Sequence, residues 1–484
     1  MLFGPRLQRF FCVGGLVLTS AVPAASLAAD TDAPPAQEPR KRVVDWDTGA
    51  NKSYVVPAVE IPIFLVALNL YDRHVYGREV YGSTFSSTSD HLQPKAWQFD
   101  EDPFNVNQFS HPYLGATMHG LARSTGLTFW ESLLYSNVGS FAWEVAGEKG
   151  APSINDIITT SQAGSLLGES LFRMANLVLE NGRHQPGFWR ELGAAALLPP
   201  LGFTRLAYGD RFRTLFPSHN PPRFWQLRLG ASTDAHVSDN SAVSVVKRQE
   251  VILDFSMAYG LPGRPDYTYD RPFDYFQFEF AAMSSAHTHN WLENILCRGL
   301  LWGRPYEAGD TYSGVFGVYG SYDFISPQIF RVSSTAVSLG TTAQWSIAQQ
   351  VTLQGSLLGG VGFGGAGTEH FKGERDYHFG ITPQGLVALR LIFGARAMLD
   401  LTGREYYISG LGSDDKRGTE TIFRGNAGIV VRVYGRNALG IHYVASHRNA
   451  HYRDFPNKYQ TVGTFSLTYT FLSDTHFGAV GLSH

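Results

Sequence analysis

Cysteine is almost missing from this chain: its 484 residues hold two, Cys12 and Cys297. Cys12 lies in an N-terminal segment built like a removed secretory signal, so one thiol remains. A single thiol excludes an intramolecular disulfide and any cysteine-rich metal pattern, and Cys297 is expected to pack on a strand as a small apolar side chain. An excess of charge of either sign is also missing. The 39 Lys and Arg against 42 Asp and Glu leave a net charge of -3. That provides no basic field, so no nucleic-acid partner is expected. Past the N-terminus, no unbroken run approaches the roughly 18 apolar residues of a membrane helix; residues 61–70 come nearest. With a mean hydropathy of -0.12, the chain is too polar for a helical membrane protein. Only helices and closed barrels satisfy their backbone in lipid, so a membrane location has to rest on strands.

What the chain has instead is alternation, together with 51 glycines and 13% aromatic residues. Residues 462–471 read Val-Gly-Thr-Phe-Ser-Leu-Thr-Tyr-Thr-Phe. In an extended segment Phe465, Leu467, Tyr469 and Phe471 share one face, and Thr464, Ser466, Thr468 and Thr470 share the other. The pattern recurs about a dozen times between residues 224 and 471, which predicts an antiparallel transmembrane β-barrel of about 12 strands. Phe276, Phe278 and Phe280 are expected to face outward, with Gln277 and Glu279 on a wet lumen wall. Connections at 364–376, 410–419 and 449–459 are long and polar, whereas those near Gly394 and Gly435 are tight. Long loops outside and short turns inside put the barrel in the outer membrane and the N-terminal domain on its periplasmic side.

The rest of the chain divides by composition. Residues 1–28 carry Arg6 and Arg9, an apolar run and small residues at the cleavage-determining positions, as a signal peptide does. Residues 29–53, rich in Pro, Ala and charge, are expected to be a disordered periplasmic leader. Residues 54–215 switch to helical periodicity, and residues 472–484 form a tail beyond the barrel. The fold class expected is therefore α+β, an N-terminal helical domain followed by the barrel. Within the helical block, Thr128 with Glu131 forms a capping box for a helix over 129–147, and Ser153 with Asp156 repeats the device for a helix reaching 179. Gly164 and Gly168 are spaced for close contact with another helix. A shorter apolar helix over 188–198 is expected to end at Pro199 and Pro200.

Most polar residues in this block have an ordinary explanation. Glu131 and Asp156 cap helices, and Glu169 with Arg173, four apart, make a helix-surface ion pair. Glu144 is harder to place, because an anion near the carbonyl end of its helix and beside Trp143 is unfavourable without a partner. His111, His119 and Arg123 are the candidate partners. A buried cluster of His111, His119, Glu144 and Glu169, binding a divalent metal or working as a general acid and base, is one reading. A structural hydrogen-bonded network that adds Asn107, Tyr113, Arg123, Asp156 and Arg173 is the other. The sequence names no cofactor. In the barrel, Ser446 and His447 point to opposite faces and make no local dyad.

The strings Asn107-Gln108-Phe109-Ser110-His111-Pro112-Tyr113, Ser140-Phe141-Ala142-Trp143-Glu144, Pro152-Ser153-Ile154-Asn155-Asp156 and Gly164-Ser165-Leu166-Leu167-Gly168-Glu169 resemble the signature blocks of a bacterial envelope family, domain of unknown function 3943. The resemblance covers about residues 103–173 and implies location and architecture, not an activity. Two functions follow as expectations. The first is a non-enzymatic outer-membrane protein whose periplasmic or plug-like helical domain gates the barrel, or organises lipid, periplasmic or membrane protein partners. The alternative is an envelope lipid or glycan hydrolase working through His111, His119, Glu144 and Glu169.

Overall fold

Twelve strands close into one antiparallel barrel in which each strand pairs with its sequence neighbours and the last with the first. The computed structural model describes residues 43–99, 102–181, 186–240, 249–284, 291–327, 329–368, 377–410, 418–453 and 456–481; the expected signal peptide and most of the expected leader lie outside them. The strands are β1 Arg223–Asp239, β2 Gln249–Tyr259, β3 Phe276–Ser284, β4 Leu292–Ala308, β5 Tyr312–Ile325 and β6 Phe330–Ala348. They continue as β7 Val351–Thr368, β8 Tyr377–Phe393, β9 Ala397–Ile408, β10 Gly418–Tyr434, β11 Asn437–Tyr452 and β12 Lys458–Leu472. The register joins Leu229 of β1 to Tyr469 of β12, so the alternating segment read first in the sequence is the strand that closes the cylinder.

The two faces of the wall differ as the alternation requires. Leu229, Val251, Leu357, Ile429, Ile441 and Leu467 stand exposed on the outside, the side that a bilayer covers in a transmembrane barrel. The lumen is filled with paired charge. Arg228 meets Asp254 at 2.6 Å, Arg404 meets Glu279 at 3.2 Å, Arg424 meets Glu293 at 2.7 Å, and Arg448 meets Glu420 at 2.6 Å. Cavities of about 70 and 20 Å³ lie among these groups, room for a few water molecules. At the end where both β1 begins and β12 ends, the tail turns inward. Phe477 is buried against Phe224, Ile392 and Val430, while Gln354 donates to the Gly478 carbonyl at 2.8 Å and Gln344 to that of Val480 at 2.7 Å. The tail thus folds into the barrel mouth.

The helical block contains α1 Val55–Val75, α2 Arg78–Tyr81, α3 Phe85–His91, α4 His111–Ser124, α5 Phe129–Ala146, α6 Ile154–Ile157, α7 Gly164–Glu180, α8 Phe188–Leu197 and α9 Pro199–Tyr208. The Thr128–Glu131 box is reciprocal, and Glu131 also accepts from Lys52 at 2.6 Å. The second device is one-sided: Ser153 Oγ accepts the Asp156 amide at 3.1 Å, and the Asp156 side chain is turned elsewhere. π-helical turns at Val106–Ser110 and Ile158–Ala163 adjoin α4 and join α6 to α7. Helix α8 ends at Leu197, just before Pro199 and Pro200, as expected, but these prolines also open a further helix, α9, where proline suits the first turn. Residues 43–53, expected within a disordered leader, are folded. Trp46 and Val44 are buried with Phe172 and Phe216, an apolar anchor that composition concealed.

The helical block lies against the outer wall of the barrel and is not a lumen plug. Met257, Phe278, Cys297 and Tyr322 follow one another across the β2–β5 registers. They share the outward parity of Leu253 and Val251. Cys297 Sγ sits 3.2 Å from the Leu166 carbonyl and 2.9 Å from Ser170 Oγ, and Tyr322 donates to the Gln108 carbonyl at 2.5 Å. A side chain on Gly320 would meet Leu166 at 2.6 Å. Toward the end of the wall that carries the longer connections, Phe99 stacks on Phe363 and Phe379, each with centroids 6.1 Å apart. Toward the opposite end, Arg173 of α7 binds Asp274 in the β2–β3 connection at 2.8 Å. Phe276 and Phe278 do face outward, as expected, but helices cover them, leaving them 0% and 6% exposed.

Two of the helices carry exposed apolar stripes in addition to the apolar residues, such as Ile61, Leu65 and Trp143, that they bury. On α1 the residues Val55, Val59, Ile63, Val66 and Leu70 face out, while Glu60, Asn69 and Asp72 are buried. On α5, Trp130, Leu134, Val138 and Phe141 form a second exposed stripe at helical spacing. Among the described residues α1 is the one helix long and apolar enough to cross a membrane. Its 21 residues give about 31 Å of length, close to the roughly 30 Å hydrocarbon thickness. A search for unbroken apolar runs passes over it because Glu60 and Asn69 interrupt the run on the face turned inward.

Candidate functional site

Helices α4 and α7 cross where neither carries a side chain. A Cβ on Gly115 would lie 1.6 Å from the Thr160 carbonyl oxygen, and one on Gly164 would lie 2.6 Å from Gly115 Cα. Of the glycine pair singled out from the sequence, Gly164 is at the crossing and Gly168 is packed against Ala116 and His119. This close approach brings polar groups of α4 and α7 together at two levels.

At the lower level, near the β2–β3 connection, Glu169 is completely buried and holds three partners. Arg123 donates from Nε at 2.6 Å and Nη2 at 3.0 Å, Arg173 from Nε at 3.0 Å, and His119 Nε2 lies at 3.2 Å. Arg123 also stacks its guanidinium on Phe172 and Phe216. The Glu169–Arg173 pair is therefore not a solvated helix-surface ion pair, since both side chains are sealed between α4, α7 and the barrel. A carboxylate saturated by two guanidiniums is an architectural anchor.

At the upper level a different group converges. One donor atom each from His111 of α4, Glu144 of α5 and Asp156 of α6 lies within 4.8 Å of the others, and all three residues are buried. His111 Nδ1 meets Thr160 Oγ1 at 3.1 Å, and its Nε2 stands 3.8 Å from Asp156 Oδ2. Asp156 Oδ1 accepts from Asn155 Nδ2 at 2.9 Å, and Glu144 Oε2 accepts the Ser153 amide at 2.7 Å. The Ser153 amide answers the question raised by Glu144: the start of α6 meets the end of α5 and supplies a donor there.

The expected four-residue cluster thus separates into two. His111 and Glu144 belong to the upper group, and His119 and Glu169 to the lower, because eight residues along α4 correspond to about 12 Å. Asp156 belongs to the first group rather than acting as a cap. Of the remaining network residues, Arg123 and Arg173 join Glu169, and Asn107 reaches the barrel through Tyr377 at 2.9 Å. Tyr113 packs against Phe109 with the rings tilted by 31° and centroids 6.5 Å apart, and is partly exposed. Thr160 and Glu148 escaped the sequence reading. Thr160 is four residues after Asp156, a spacing that shares a helix face; Glu148 lies just past the end of α5 and accepts the Trp143 indole at 2.8 Å. In the barrel, His442 lies beside Arg228 in the lumen, whereas His447 is exposed and pairs with Thr461 at 3.0 Å, so neither forms a dyad with Ser446.

No curated protein matches the chain. Among solved structures, the anion-selective porin from Comamonas acidovorans aligns at 8% identity, over 52% of this chain and 98% of the porin, with a TM-score of 0.22. The outer membrane channel DcaP of Acinetobacter baumannii aligns at 9% identity over 52% and 96%, TM-score 0.22. The Pseudomonas putida toluene transporter TodX aligns at 9% identity over 53% and 92%, TM-score 0.20. The barrel assignment rests on this chain's own registers and walls, which are closed, even-stranded, antiparallel and apolar outside, as in outer-membrane barrels. Residues 96–200 match the family model described as a domain of unknown function, and all of the upper and lower groups but Phe216 and Asp274 fall inside them. Residues 96–200, the segment that matches the DUF3943 model, are thus mounted on the outer wall of a closed twelve-stranded barrel.

Proposed function

We propose that the barrel is a non-conducting wall, and that the protein works through its helical domain at the level of the lipid, where it binds or organises membrane lipid or a membrane protein partner. The observation that carries this reading is the placement of the helices on outward-facing Phe278, Cys297 and Tyr322, with apolar stripes of α1 and α5 turned away from the barrel. Gating by a plug is not supported, because the helices do not enter the lumen and paired charges fill it. The tight β8–β9 and β10–β11 turns favour a periplasmic location for that end of the barrel, which orients the domain with the Arg173–Asp274 anchor toward the periplasm and the His111 group toward the outer leaflet. Reconstituted into planar bilayers, the full-length protein is expected to give no steady porin-like conductance. A stable open channel of fixed unit conductance would overturn the wall reading.

The envelope hydrolase remains the second reading, favoured by one observation: the convergence of His111, Glu144 and Asp156 inside a domain at lipid level. On that reading Glu144→Gln leaves membrane insertion intact and abolishes any change that the wild-type protein makes to lipids of its own membrane, as read by mass spectrometry. Identical lipid profiles for wild type and variant would remove it.

A further inference from the structure

The geometry points to His111, Glu144 and Asp156 as a divalent metal site of the transition-ion class, with Zn²⁺ the simplest probe. A group of one imidazole and two carboxylates suits such an ion. Two donors each about 2.0–2.2 Å from a shared Zn²⁺ lie no more than about 4.4 Å apart. The 3.8 Å between His111 Nε2 and Asp156 Oδ2 is too long for a hydrogen bond and falls inside that limit. The three donors come from three helices, so folding and not local sequence brings them together.

The surrounding contacts are those that fix ligands. Thr160 Oγ1 engages His111 Nδ1, directing Nε2 toward the two carboxylates. Asn155 donates to Asp156 Oδ1, Asp156 Oδ2 faces the imidazole, and the Ser153 amide donates to Glu144 Oε2. Partners of this kind orient metal ligands and are worth roughly 10–100-fold in affinity. The two π-helical turns fall beside the same residues: Val106–Ser110 ends where His111 begins, and Ile158–Ala163 contains Thr160. Such turns recur at functional sites because they re-aim one side chain in a helix. Three protein ligands on a four-coordinate ion leave one position for water or a ligand, the arrangement of catalytic more than structural zinc. The inference does not depend on where the domain lies relative to the bilayer.

The test uses full-length protein in detergent, stripped with a chelator and dialysed, then titrated with Zn²⁺ by calorimetry. Co²⁺ loading is followed by visible absorption. One tight ion per chain is expected, lost at least 100-fold in affinity in His111→Ala and Asp156→Asn, and weakened about 10–100-fold in Thr160→Val. His119→Gln, which alters the lower group, should keep the stoichiometry and the Co²⁺ spectrum. Heat-modifiable migration and circular dichroism identify variants that remain folded. A folded wild-type protein with no stoichiometric ion would overturn the inference, as would folded His111→Ala and Asp156→Asn proteins that bind as the wild type does.

Discussion

Replacing Glu169 by alanine is expected to loosen the helical domain while leaving the barrel closed. Glu169 is the anion that Arg123, Arg173 and His119 surround, and the side chains of this group are at most 4% exposed. Without it, Arg173 keeps Asp274, and Arg123 keeps the Leu127 carbonyl, but two guanidiniums remain buried against each other with their shared carboxylate gone. Breaking a buried ion pair from one side costs about 3–5 kcal/mol, a large share of the roughly 5–15 kcal/mol that holds a domain together. In limited proteolysis, residues 54–215 should become cleavable while the barrel still migrates as a heat-modifiable band. Unchanged protease resistance would show that the lower group is not the anchor described above.

Gly115→Leu should have a comparable effect by a different route. Its Cβ would fall 1.6 Å from the Thr160 carbonyl oxygen, and because the obstacle is backbone, rotamer changes cannot relieve it. Overpacking usually costs about 1–3 kcal/mol and more where nothing can yield. The helices must part, and Thr160, which orients His111, is displaced with them. The expected result is loss of near-ultraviolet dichroism from the helical domain together with loss of Zn²⁺ binding, the barrel strands persisting in the far ultraviolet. Gly168→Ala, where the added carbon would lie 3.0 Å from the Ala116 carbonyl oxygen, should be milder in both measurements. Equal behaviour of the two variants would mean that the crossing at Gly115 and Gly164 is not the tight point.

The barrel was legible because strand alternation is a local signal. Ten of the strands overlap segments with apolar residues at every second position, β4 and β6 being less regular, and Glu279 and Arg404 meet in the lumen as an inward carboxylate should. The helix starts at Thr128 and Ser153 were legible through their caps, for the same reason. What covers an outward-facing residue was not legible, since Cys297 reads the same whether lipid or Leu166 lies against it. The exposed apolar stripe of α1 was hidden because Glu60 and Asn69 look like interruptions of an apolar run, although they occupy the face turned inward. Grouping His111 with His119 was an error that helix geometry alone could have prevented, because residues two turns apart cannot share one carboxylate. The role of Asp156 was masked by an adequate local explanation, a cap, and emerged only with the distance to His111. Thr160 needed the fold, as the π-helical turn sets its direction.

Under the proposed function, the helical domain lies beside the barrel within the bilayer. Nitroxide labels placed at Val59 on α1 and Val138 on α5, with Leu357 on the bare barrel wall as the reference, test it in proteoliposomes of the full-length protein. All three positions should be relaxed strongly by oxygen and weakly by a water-soluble nickel chelate, as lipid-facing sites are. Val59 and Val138 relaxing with the chelate like an aqueous loop, while Leu357 remains shielded, would contradict it and put the domain in water.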